Sequence, residues 1–183
     1  MRIRKLLLLL FIIGFSSLPT LAEEMNLIRA KNNAYIHNNK GLAYLEEKYY
    51  FGAIKEFEIA IALNPDSQAS STYYVNLGKT YETIGYYDLA KPYYEKAVSL
   101  SPLYFDYYLR MVQNYKKLGI VNKKLKEFEN KKYSPLNDVV IGLLYIQKGE
   151  TQTGITILDD FINKEENLIL TKGVKKYLQE ITK

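Results

Sequence analysis

Cysteine is absent from this chain, and histidine occurs once, at His37. The first absence excludes disulfides, thiolate metal sites and lipid attachment through a cysteine. The second leaves any histidine-based triad or metal centre without partners. Glycine is sparse, 10 residues in 183, and no glycine-rich phosphate loop is formed. Carboxylates that adjoin in sequence, Glu46-Glu47, Asp159-Asp160 and Glu165-Glu166, point about 100° apart on a helix and do not face one another as an acid–base pair. No segment alternates with period two for long enough to build a sheet. The expectation is a helical protein that is not an enzyme and takes no cofactor or metal.

Long apolar runs are also lacking, with one exception. Met1-Arg2-Ile3-Arg4-Lys5 precedes an unbroken apolar stretch from Leu6 to Phe15, and Pro19-Thr20-Leu21-Ala22 leads into Glu23-Glu24. A basic start, a short apolar core and small residues before a charged pair describe a secretory signal peptide over 1–22, with the cut between Ala22 and Glu23. A bilayer-spanning helix needs about 20 apolar residues, so an uncleaved anchor is the alternative, and a membrane becomes a partner only if the segment is retained. The expected location is periplasmic or secreted. Abundant Lys, Asn, Ile and Tyr is consistent with a bacterial envelope protein. Arg2, Arg4 and Lys5 fall inside the segment, so the formal charge of +5 for the whole chain belongs largely to it. With the remainder near neutrality, nucleic acid is a poor partner. The one cationic cluster, Lys116 to Lys132, is diluted by Glu127 and Glu129 and reads as a solvated helical hairpin, with a contact to anionic lipid or an acidic protein as the alternative.

The decisive feature is an internal repeat. Gly41, Tyr44, Ala53, Phe57, Ala60 and Pro65 recur as Gly78, Tyr81, Ala90, Tyr94, Ala97 and Pro102, each pair 37 residues apart. A third unit places Tyr108, Val112, Tyr115 and Phe128 34 residues after Tyr74, Gly78, Tyr81 and Tyr94, with Lys124 and Lys131 where the small alanines stood. A fainter fourth has Gly142, Tyr145, Gly149 and Leu158. Glycine and alanine at such positions let helix backbones approach. The aromatic residues fill the space between units. Gly85, Gly119 and Gly149 suit bends that need a left-handed residue. Pro65 and Pro102 stop the second helix of their units. Asp88, as an N-cap, would place Pro92 in a first turn, where a missing N–H matters little.

Tyr74-x-x-Leu77-Gly78-x-x-Tyr81, then Ala90, Tyr94, Ala97 and Pro102, resembles the tetratricopeptide repeat, a helix-turn-helix unit of about 34 residues. Tyr74 stands where tryptophan is usual. The first unit departs further, with His37 and Lys40 at its start. The resemblance implies an all-α, right-handed α-solenoid of three to four repeats over about 34–67, 71–104, 105–134 and 135–168, in a domain spanning 23–183. Helices are expected at 33–47 and 50–63, 71–84 and 88–100, 105–118 and 121–131, and 136–148 and 152–163. A final helix at 167–182 is expected to cap the exposed end of the stack.

In this family the first helix of each pair lines a concave groove for a peptide or partner helix. The resemblance therefore implies a non-catalytic adaptor with a protein or peptide partner. The groove residues carried over are Tyr35, Asn38, Leu42, Val75, Asn76, Lys79, Leu109, Arg110, Gln113 and Leu143. Asn38, Asn76 and Arg110 would hydrogen-bond a peptide; Leu42, Val75, Leu109 and Leu143 would hold apolar side chains. Val139, Val140, Leu143 and Ile146 read equally as core beneath the final helix. One branch of the family clamps a C-terminal carboxylate. Here Asn38, Leu42 and Asp106 stand where that clamp needs Lys, Asn and Lys, which excludes that ligand. The 18 tyrosines exceed what the repeat uses, and read as core filling or as an aromatic ridge near the bends. The alternative function is a structural self-assembler, a homo-oligomer packed through incompletely capped terminal repeats, or a membrane-anchored form.

Overall fold

The computed structural model describes residues 20–183. The proposed signal segment therefore lies almost wholly outside the described residues. Among those residues the chain forms nine helices and no strand: α1 Leu21–Glu46, α2 Tyr50–Leu63, α3 Ser70–Thr83, α4 Tyr87–Leu100, α5 Phe105–Lys117, α6 Val121–Glu129, α7 Pro135–Lys148, α8 Thr151–Lys164 and α9 Ile169–Ile181. None of them is long and apolar enough to cross a membrane. Successive helices pair as antiparallel hairpins, and each second helix also packs on the first helix of the next pair. This is the all-α repeat architecture expected from the sequence.

Small residues set the spacing. Ala34, Ala53, Ala60, Ala90 and Ala97 are fully buried. Gly41 lies under the Phe57 ring, where a Cβ would come within 2.5 Å, and Gly78 lies under Tyr94. In the fourth pair two glycines face each other: a Cβ on Gly154 would fall 2.5 Å from the Gly142 carbonyl oxygen. Gly85, Gly119 and Gly149 all take positive φ at the bends, as expected, and Lys48 takes the corresponding place in the first hairpin at φ 59°.

Tyrosines join neighbouring units by both ends. Their rings fill the core, and their hydroxyls donate to a carboxylate on the second helix of the preceding unit. Tyr81 reaches Glu58 at 3.5 Å, Tyr115 reaches Glu95 at 2.7 Å, and Tyr145 reaches Glu129 at 2.8 Å. Burying rings such as Tyr94, Tyr115, Phe57 and Phe161 contributes about 1.5–3 kcal/mol each.

Three local expectations are corrected. The first helix starts at Leu21, not at 33, because a capping box opens it: Thr20 N–H donates to Glu23 Oε2 at 2.7 Å and Glu23 N–H to Thr20 Oγ1. No glycine or proline interrupts the chain between Leu21 and Gly41. Pro92 is not in a first turn. The helix begins at Tyr87, Asp88 makes no cap, and Pro92 is inside α4. The second helix of the third pair stops at Glu129, with Lys124 and Lys131 in place of the alanines that would seat a longer helix closely.

The final helix α9 packs on α8 and also reaches α5. Gly173 presses on Phe105, and the Tyr177 ring lies 5.5 Å from it. Leu170, Val174 and Leu178 thereby join the large second-half core with Val139, Val140, Leu143 and Leu144.

Candidate functional site

The first helices α1, α3 and α5 stand side by side as one wall. Asn76 Nδ2 donates to Asn38 Oδ1 at 2.9 Å, joining α3 to α1. Thr72 Oγ1 lies 3.3 Å from the Tyr107 hydroxyl, joining α3 to α5. Tyr35, Leu42, Lys79 and Gln113 are exposed, and Leu109 and Arg110 are half-buried. These six are the part of the expected groove that the fold leaves open.

The other four are withdrawn from it. Asn38 and Asn76 are buried against each other. Their carboxamides hold the first two units together, not a ligand backbone. Val75 is buried in the core formed with α4 and α5. Leu143 is fully buried with Leu170 and Val174. The fourth unit is closed, and Leu143 is core beneath the last helix, the other reading its sequence allowed.

Electrostatics single out the middle of the open stretch. Among the described residues, no carboxylate lies within 4.0 Å of Lys79 or of Arg110. Burial lowers the Lys79 pKa, the neighbouring Arg110 lowers it further, and Glu82 only partly offsets them. Glu82 is itself engaged by the Tyr94 hydroxyl at 2.6 Å. Lys79 and Arg110 are thus neighbouring cations without an ion-pair partner among the described residues, and Glu82 is the carboxylate that acts on Lys79.

A second concavity, which the sequence reading did not reveal, opens between α4, α5, α6 and α7. It measures about 490 Å³, with Val98, Met111, Phe128, Leu136 and Val140 among its apolar lining. A charged network crosses its rim. Lys124 lies 3.3 Å from Glu95 and 3.0 Å from Glu127, and Lys131 lies 3.4 Å from Glu127. Burial alone would raise the Glu95 carboxyl; hydrogen bonds from Tyr115 and Lys91, with the Lys124 charge, hold it below the usual range. Each lysine of this network has a carboxylate partner, unlike Lys79 and Arg110. The signal was present in the sequence as Lys124 and Lys131 at alanine positions.

Two family models, each described as a tetratricopeptide repeat, match residues 34–67 and 71–102. No curated protein matches the chain. Among solved structures, a tetratricopeptide repeat protein from Parabacteroides merdae is similar at 18% identity and a TM-score of 0.52, covering 79% of this chain and 58% of that one. The MamA protein is similar at 23% identity and a TM-score of 0.49, with 74% of each chain covered. YrrB, a repeat protein with an unusual peptide-binding site, is similar at 20% identity and a TM-score of 0.47, covering 78% of this chain and 74% of that one. At these identities the likeness is one of fold. Residues 34–67 and 71–102 are thus tetratricopeptide repeats, set in an all-helical repeat stack that runs through the described chain.

Proposed function

We propose that this protein is a non-catalytic adaptor of the bacterial envelope, exported by its N-terminal segment, that grips an acidic stretch of a partner protein in its groove. The observation that carries the reading is the unpaired Lys79 and Arg110 between the exposed Leu42 and Gln113. Tyr35, Leu42 and Leu109 offer apolar contact on either side. The cations supply orientation and on-rate more than raw affinity.

The test is binding of the partner recovered from envelope extract to Arg110→Glu and Lys79→Glu variants, with circular dichroism as the folding control. Each charge reversal is expected to weaken binding at least tenfold at low salt, and raising the salt is expected to weaken the unaltered protein in parallel. Undiminished binding by both variants would rule the groove out. Leu143 is unsuitable as a groove probe, because a charge there would be buried in the core.

A further inference from the structure

Among the described residues, nothing packs on the first third of α1. Every residue from Leu21 to Arg29 is exposed. A free helical segment this short is marginal in water, and the capping box at Thr20 contributes only about 1 kcal/mol. Yet the segment carries large apolar side chains: Leu21 is 75% exposed, Met25 47% and Ile28 58%.

These residues fall in register with others further along. Leu21, Met25, Ile28, Asn32, Tyr35, Asn39 and Leu42 are spaced alternately by four and three, and all seven are exposed. They form one seam over three heptads, about 32 Å long at about 1.5 Å per residue. Of the residues with which α1 meets its own repeat, Ala34 and Gly41 lie about 100° or more around the helix from the seam, and Asn38 flanks it beside Tyr35 and Leu42. The repeat's own packing leaves all seven seam residues uncovered.

Which occupant fits is decided by polarity and charge. Leu21, Ile28, Tyr35 and Leu42 take the d positions of the heptad; Met25, Asn32 and Asn39 take the a positions. Asparagine at a meets the same asparagine of the partner in a two-stranded parallel coil and fixes register at a cost in stability. An antiparallel pairing sets a against d, so Asn32 would face an apolar residue or a tyrosine. At the flanks, Glu24 at g lies opposite Arg29 at e of a parallel second copy, an attractive pair on each side of the seam.

We infer that α1 pairs with α1 of a second copy of this chain as a parallel, in-register, two-stranded coiled coil along Leu21–Leu42. Removal of residues 1–22 retains six of the seven seam positions, from Met25 onward. This dimer joins the two repeat domains at their N-terminal ends; it takes Tyr35 and Leu42 from the groove and leaves Lys79 and Arg110 outside the seam.

The absence of cysteine gives a direct test in the full chain. Met25→Cys and Tyr35→Cys, made separately, are each expected to form a disulfide-linked dimer on mild oxidation. Asn33→Cys, on the outer face, is expected to form none. Ile28→Lys is expected to sediment as a monomer with its helicity largely kept, whereas Arg110→Glu stays dimeric. A monomeric unaltered chain at micromolar concentration overturns the inference. Cross-linking at only one of the two seam positions overturns the parallel register. A dimer surviving Ile28→Lys places the interface elsewhere.

Discussion

Gly78 and Gly154 both sit at close approaches within a hairpin but differ in what confronts them. A Cβ on Gly154 would meet the Gly142 carbonyl oxygen at 2.5 Å and the Ile146 amide nitrogen at 3.0 Å, both backbone atoms. A Cβ on Gly78 would meet only the Tyr94 ring, at 3.0 Å. A ring can tilt, whereas two helix backbones can separate only by loosening a whole hairpin. Gly154→Ala is therefore expected to destabilise by about 1–3 kcal/mol, and Gly78→Ala by distinctly less, as read from urea midpoints. Equal losses would mean that the α7–α8 hairpin yields as easily as a side chain. The same logic separates groove residues from core. Asn38 and Asn76 have the composition of ligand-binding residues, and their mutual hydrogen bond removes them from that role.

Between elements, the hydroxyls of Tyr81, Tyr115 and Tyr145 explain why tyrosine fills places where phenylalanine would pack equally well. Tyr115 is the strongest case, being fully buried as a ring and bonded at 2.7 Å to Glu95, which is also held by Lys91 and Lys124. Tyr115→Phe removes a hydrogen bond to a charged acceptor and is expected to cost about 1–2 kcal/mol. Tyr145→Phe, whose partner Glu129 is exposed, is expected to cost less than about 1 kcal/mol in chemical denaturation. If the order were reversed, ring packing rather than the hydroxyl would dominate the α4–α5 contact. The short α6 belongs to the same region. Lys124 is tied to Glu95 and Glu127, which holds this helix in place where alanine would otherwise seat it.

For the molecule as a whole, the tyrosine-rich core sets an alkaline limit. Burial, with Tyr93 and Glu58 beside it, pushes the Tyr81 hydroxyl up to about 12, and burial pushes Tyr108 up to about 12. In the unfolded chain these groups ionise near 10.0. The folded state binds their protons more tightly, so their contribution is fully present below pH 10 and is lost as pH rises towards 12. Urea midpoints are expected to hold up to about pH 9.5 and to fall steeply above pH 10, with a shallower fall in a Tyr81→Phe, Tyr108→Phe double variant. Identical alkaline slopes in the two proteins would show that other groups set the limit.

The repeat was legible because it is written in residues that admit few substitutes. Glycine and alanine recur where backbones touch, glycine recurs at left-handed bends, and aromatic rings recur at fixed offsets, so sequence alone determined the helix order and the identity of the close contacts. The residues lining the groove were legible only as positions on helix faces. Whether a face meets solvent or another helix depends on partners distant in sequence. Leu143 is covered because α9 folds back across to α5; Asn38 is covered because Asn76, 38 residues later, meets it. Only the tertiary structure could decide which expected groove residues stay open, and it left Tyr35, Leu42, Lys79, Leu109, Arg110 and Gln113, because burial is a property of the packed chain and not of any one segment.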